Sequence, residues 1–118
     1  MVERIIQVKR IYDLPSEDDG FRILVDRLWP RGVKREDARI DLWAKQVAPT
    51  SELRKWFGHD PKKFDEFKTR YVEELQANSA SVSSIFDSTK EQPITLLYAA
   101  RDPTCNHAIV LRSFLLDV

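Results

Sequence analysis

The sequence predicts an α/β fold: a single domain with a small, mainly parallel sheet of about three strands flanked by helices. Three observations predict it. Residues 94–99 are a nearly continuous apolar run, as in a strand covered on both faces. Residues 21–28 are rich in β-forming side chains and alternate, with Ile23 and Val25 toward one side and Leu24 and Asp26 toward the other. Around these runs, apolar residues recur at helical spacing, and strand–helix alternation favours a parallel sheet covered by helices.

The elements follow in chain order. Ile5, Ile6 and Val8 suggest a first strand ending near Lys9 and Arg10. Residues 14–20 carry Pro15, Ser16, Asp18, Asp19 and Gly20, which is loop chemistry with at most one helical turn, and the acidic cluster reads as a solvated turn. The second strand, 21–28, ends at Pro30 and Gly32. The stretch 34–46 reads as a helix or two short turns anchored by Ile40 and Trp43. Thr50 or Ser51 caps a short helix carrying Leu53, Trp56 and Phe57, and Gly58 suits its exit. Asp60-Pro61 starts the next helix, where Phe64, Phe67, Tyr71 and Leu75 make one buried stripe. Ser79 opens a further helix with Val82, Ile85 and Phe86 inward. After the strand at 94–99, a last helix runs from about 105 to 116. About ten residues between the first two strands is short for a parallel crossover.

Composition narrows the function classes. The chain has 118 residues, too few for two independent cores without disulfides or metals, so 1–118 reads as one domain. With 42% hydrophobic and 32% charged residues, intrinsic disorder is not expected. Lys plus Arg and Asp plus Glu are both 19, so the net charge is zero and a polyanion-coating protein is disfavoured. A single cysteine, Cys105, excludes a disulfide framework and fits a reducing cytosol. No apolar stretch is long enough for a signal core or a membrane span, so a cytoplasmic protein without membrane partners is expected.

Ligands of open parallel sheets sit beyond the carboxyl ends of the strands. Strand two exits into Asp26-Arg27-Leu28-Trp29-Pro30-Arg31-Gly32, and the 94–99 strand into Ala100-Arg101-Asp102-Pro103-Thr104-Cys105-Asn106-His107. If the two are parallel neighbours, Arg27, Arg31, Arg101 and His107 converge beside the start of the last helix, where exposed N–H groups favour an anion. The candidate ligand-binding set is Arg27, Trp29, Arg31, Trp56, Arg101, Asp102 and Asn106. Guanidinium groups offer paired donors to phosphate or carboxylate, and Trp29 or Trp56 offers a flat cover. His107 and His59 are the candidates for proton transfer, which makes catalysis an open question.

Each of these residues also has a structural reading. Arg27 could pair with Asp26, and the tryptophans could be packing. Asp102 with Pro103 could be no more than a helix entry. His107 shares a helical face with Leu111 and Phe114, and His59 could be an exposed loop residue. No metal site is expected, because Cys105 and His107 have no second pair to complete one. No cofactor is expected either, since no GxGxxG, Walker, HExxH or GxSxG pattern occurs.

Three motifs, VDRLWPRG (25–32), LRKWFGHDP (53–61) and LLYAARD through NHAIVL (96–111), resemble the YeaO-like branch of the domain-of-unknown-function 488 family over nearly the whole chain. The resemblance implies a compact bacterial or archaeal α/β domain and no established activity. Longer relatives carry an Asp-x-Arg-x-x-Pro element after the second strand and a Cys-His-Arg element at the last helix. Here Asp26, Arg27 and Pro30 are similar to the first, with Asp and Arg adjacent. Cys105-Asn106-His107 stands where the second falls, without its Arg. That departure is compatible with a changed activity or a binding-only descendant.

The leading expectation is a pocket for a small anionic or nucleotide-like ligand. One rival is a nucleic-acid-binding module using segment 22–39, which holds six basic and three acidic residues. Another is a regulatory protein-interaction domain.

Overall fold

The computed structural model describes residues 5–87, 89 and 93–117. Its organising element is β4 (Ile94–Tyr98), whose five residues are all buried. An apolar run of this kind needs partners on both edges and cover on both faces. β1 (Ile6–Arg10) and β2 (Phe21–Leu24) supply the edges, and β3 (Leu42–Trp43) extends the sheet beyond β2. The order is β1-β4-β2-β3 and every neighbouring pair is parallel.

The α/β class is as the sequence predicts, but the sheet has four strands rather than about three. The additional strand lies inside the stretch expected to be helical. There only α1 (Arg35–Ala38) is an α-helix, and Arg39 at φ 50 ends it. The chain then runs along β2, with Asp41 N–H donating to the Arg22 carbonyl and Ala44 N–H to the Leu24 carbonyl. Four helical residues cannot sustain themselves, whereas these bonds satisfy an edge of β2.

The short first connection is also accounted for. β1 and β2 are not neighbours; both pair with β4, which lies between them. Residues 11–20 thus cross β4 to reach a strand of the same direction, and they do so without an α-helix. They form a loop with one 3₁₀ turn (Glu17–Asp19).

One face of the sheet carries the main core. Ile6, Ile23, Val25, Ile94, Leu96 and Tyr98 meet the apolar sides of four helices. These are α2 (Ser51–Phe57), α3 (Phe64–Ala77), α4 (Ser79–Asp87) and α5 (His107–Leu116). The stripe Phe67, Tyr71 and Leu75 of α3 is buried, with Phe64 half-buried against it. The opposite face is smaller: Ile11, Leu24, Ala38 and Leu97 are covered by Trp29, Val33, Ile40 and Trp43.

Helix ends follow local chemistry. The Thr50 hydroxyl accepts from Leu53 N–H and Gly58 leaves α2 at φ 54. Asp60 accepts from Lys62 N–H at the head of a 3₁₀ turn that leads into α3. α5 starts at His107, slightly later than expected, because the Asn106 side chain accepts from Ile109 N–H at 3.1 Å and caps it. No helix among the described residues is long and apolar enough to cross a membrane.

The apolar opposite face gives way at one end to a buried ionic cluster. Asp19 is 4% exposed, not part of a solvated turn. Its carboxylate pairs with Arg22, itself 4% exposed, and with Lys9 at 3.1 Å. Ser16 N–H donates to it at 2.9 Å. Arg22 spends its remaining donors on the Ala38 and Arg39 carbonyls. Thr95, buried in β4, donates its hydroxyl to the Asp19 carbonyl at 2.6 Å. The cluster thus joins β1, β2, β4 and the end of α1. On the β4 side of β1, Ile94 N–H donates to the Ile5 carbonyl, so the next carbonyl, Ile6, points to the free edge. Arg112 of α5 donates its Nε to that carbonyl at 2.6 Å.

Two predictions follow from this corner of the fold. Burial alone would raise the Asp19 carboxyl, but the Ser16 N–H and the Lys9 and Arg22 charges outweigh it and hold it below its ordinary 3.8. A lowered native value stabilises the fold above the ordinary value, and that contribution is lost as the pH falls through the native one. Asp19→Ala should cost about 3–5 kcal/mol at neutral pH, because Arg22 is left buried and unpaired. In urea titrations the gap between wild type and Asp19→Asn should shrink below about pH 4. A gap that is unchanged at pH 3 would contradict the assignment. Gly20 sits at φ 65, and a Cβ there would lie 2.0 Å from the Pro93 carbonyl oxygen. Gly20→Ala should lower the stability by about 2–4 kcal/mol in the same titrations.

Candidate ligand-binding site

The β2 and β4 exits lie side by side because β2 and β4 are parallel neighbours. Val25 N–H still donates to the Leu97 carbonyl at 3.0 Å, and Asp26 Oδ2 accepts from Ala99 N–H at 3.0 Å. These bonds hold the two loops together just where their side chains diverge. Beyond them opens a cavity of about 690 Å³.

Seven of the nine candidate residues line this cavity, Arg27, Trp29, His59, Arg101, Asp102, Asn106 and His107, together with Asp26. Arg31 and Trp56 do not. Arg31 is exposed, and its carbonyl accepts from the Tyr12 hydroxyl. Trp56 is one residue before the buried Phe57, hence about 100° round α2 from it. Its ring lies under Arg70 and Lys63, at 4.3 and 5.3 Å, beside a separate shallow cleft.

The lining residues differ in what they have left to offer. Arg27 does not pair with Asp26. Its Nε and Nη2 donate to the Pro49 and Ala48 carbonyls, both at 3.1 Å, so it clamps the segment before α2 to the β2 exit. Asp26 instead faces His107, whose Nε2 is 3.0 Å from both Asp26 Oδ1 and the Val25 carbonyl. The carbonyl can only accept, so Nε2 carries a hydrogen and its directed bond goes there. Oδ1 is left with a close contact but no directed hydrogen bond. His107 also meets the edge of Tyr71, whose hydroxyl donates to the Val47 carbonyl at 2.6 Å.

Trp29 donates its indole N–H to the Val33 carbonyl at 2.7 Å. Arg35 covers the ring at 4.7 Å and Trp43 meets it edge-on, so little of the ring is left as a stacking platform. Asp102 caps a turn rather than α5. Hydrogen bonds from the backbone N–H groups of Thr104 and Cys105, and from the Thr104 hydroxyl, hold its carboxyl below the usual range. Asn106 caps α5 with its oxygen and donates its amide to the Asp102 carbonyl at 2.8 Å. His59 is exposed at φ 57, directly after the left-handed Gly58, so that two successive left-handed residues turn the chain toward Asp60.

Sequence reasoning missed Arg54 and Lys55, which also line the cavity. On α2 they read as the wet face of an amphipathic helix. The one local signal is that Arg54 has no acidic residue three or four positions away on either side. Among the described residues no group of three or more His, Cys, Asp or Glu side chains is placed to hold a metal ion. Cys105 is half-buried, with the Thr104 hydroxyl 3.9 Å from its sulfur.

Half of the six basic residues in segment 22–39 have partners within the chain: Arg22 pairs with Asp19, Arg27 with carbonyls and Arg35 with the Trp29 ring. Arg27→Ala should cost about 1–3 kcal/mol, because two part-buried carbonyls lose their donors. Arg27→Lys should recover only part of this in thermal unfolding, since an ammonium cannot span both acceptors as a planar fork does.

Comparison with known proteins places these residues in a family. The family model described as the inactive DUF488-N3 subclade matches residues 5–118. The uncharacterized protein YeaO of Escherichia coli is 46% identical over 110 residues, which cover 93% of this chain and 96% of that one. The uncharacterized proteins Mb3100c of Mycobacterium bovis and Rv3073c of Mycobacterium tuberculosis are each 42% identical over 113 residues, covering 96% of this chain and 95% of theirs. No solved structure matches the chain significantly.

Proposed function

This chain belongs to the inactive DUF488-N3 subclade, and from that premise and the cavity beyond β2 and β4 we propose that it binds a small anionic or nucleotide-like molecule without turning it over. One observation carries the reading. Cationic groups from α2 and from the loop after β4 line the same cavity as Leu28, Pro30, Phe57 and Phe67. Apolar walls with a few polar groups are the usual make-up of a small-molecule site.

The absence of turnover is supported by what the reactive residues are doing. The Nε2–H of His107 is directed at a backbone carbonyl. Asp102 is spent on a turn. Cys105 has a hydroxyl, not a base, as its polar neighbour. The family's description as inactive points the same way. The nucleic-acid reading has less behind it, because Arg22, Arg27 and Arg35 already have partners inside the chain.

A melting-temperature screen with phosphate, mononucleotides and carboxylates tests the reading. Saturating ligand at about one hundred times its Kd should stabilise the protein by about 2.7 kcal/mol. Arg101→Ala should abolish the shift without lowering the melting point of the free protein. A flat response to every anion would count decisively against an anion site.

A further inference from the structure

The charges around the cavity are unequally committed, and this bears on the ligand's charge as well as its sign. Asp26 and Asp102 are the two carboxylates in the lining. Asp26 is engaged by Ala99 N–H through one oxygen, with the other in close contact with His107, and Asp102 is engaged with Thr104 and Cys105. Arg27 is engaged with carbonyls. Arg54, Lys55 and Arg101 are different: all three are exposed, and none has an ion pair among the described residues. They come from two separate elements, α2 and the loop after β4, onto one cavity.

We infer that this cavity selects a dianionic phosphomonoester attached to an apolar body, in preference to a singly charged anion. The inference rests on the anion-binding reading above and specifies its chemistry. The lining sets Arg27, Arg54, Lys55 and Arg101 against Asp26 and Asp102, a formal excess of two positive charges, so a monoanion leaves it positive; a phosphomonoester carries about two negative charges at neutral pH and presents three acceptor oxygens. Phe57, Pro30 and Leu28 give the body of the ligand an apolar wall. A cavity of about 690 Å³ holds such a molecule, and most of it would go unused by a bare phosphate ion.

Phenyl phosphate and phenyl sulfate separate charge from shape, because both present a tetrahedral group on the same ring and differ by one charge at pH 8. Titration calorimetry of the full chain should find phenyl phosphate about tenfold tighter, equivalent to about 1.4 kcal/mol. It should also bind at least tenfold tighter than inorganic phosphate. The phosphate–sulfate ratio should fall toward one in Arg54→Gln/Arg101→Gln, a variant whose circular dichroism and melting point must match wild type. Should that variant unfold, Lys55→Gln alone should still lower the ratio.

Equal affinity for phenyl phosphate and phenyl sulfate would overturn the preference for a dianion and leave the anion-binding reading standing. Inorganic phosphate binding as tightly as phenyl phosphate would overturn the role of the apolar wall. No binding of phenyl phosphate, phenyl sulfate or benzoate would overturn both this inference and the reading beneath it.

Discussion

The fold depends on the buried contact between Asp19 and Arg22. A short loop must carry the chain from the end of β1 to the start of β2 with β4 standing between them. Such a loop has few apolar side chains with which to hold itself down. It is held instead by a carboxylate that gathers Arg22 of β2 and Lys9 of β1, while its own carbonyl accepts from Thr95 of β4. Removing two opposite charges from water is costly and is repaid only where the remaining donors and acceptors are satisfied. Here they are, by Ser16 N–H on the acid and by the Ala38 and Arg39 carbonyls on the base. The cluster therefore fixes the relative position of three strands at the end of the sheet remote from the cavity.

The opposite end of the sheet works under the reverse constraint. There the β2 and β4 exits must stay apart enough to leave a cavity, yet keep a defined separation. Backbone and side-chain hydrogen bonds set that separation: Val25 to Leu97, Asp26 to Ala99, and Arg27 to residues 48 and 49. His107 adds a tie from the first turn of α5 back to Val25. Groups that look chemically ready in isolation are thus mostly used to frame the opening, and the uncommitted ones stand at its mouth.

How much of this was legible in the sequence depends on the range of the interaction. Local signals were read well. Asp60-Pro61, Gly58 and the Phe67–Tyr71–Leu75 spacing specify helix ends and a buried face through residues a few positions apart. The run at 94–99 announces a strand covered on both faces, because such burial removes the alternation. β3 was not legible, since two residues contain no period and their strand character comes from β2 alongside. The burial of Asp19 leaves no mark in the sequence for a similar reason: an acid among acids reads as a solvated turn, and only the closing of β1, β2 and β4 around it takes it out of water. At the site, the pairing of the β2 and β4 loops could be argued from topology. Arg54 and Lys55 could not, because only the burial of Leu53 and Phe57 in the folded core turns the rest of α2 toward the opening. Arg31 and Trp56 fail to reach it for the converse reason: the chain turns Arg31 outward, and the helical rotation carries Trp56 to the far side.

The bond from Arg112 to the Ile6 carbonyl has a consequence for how molecules of this protein meet in a crowded solution. A parallel sheet of four strands has two outer rims, and an unoccupied rim is a template onto which a neighbour's backbone can add. At the start of β1 that template is interrupted, because the guanidinium already occupies an outward-facing acceptor. A neighbouring backbone adding at that point would first have to displace this long side chain of the last helix.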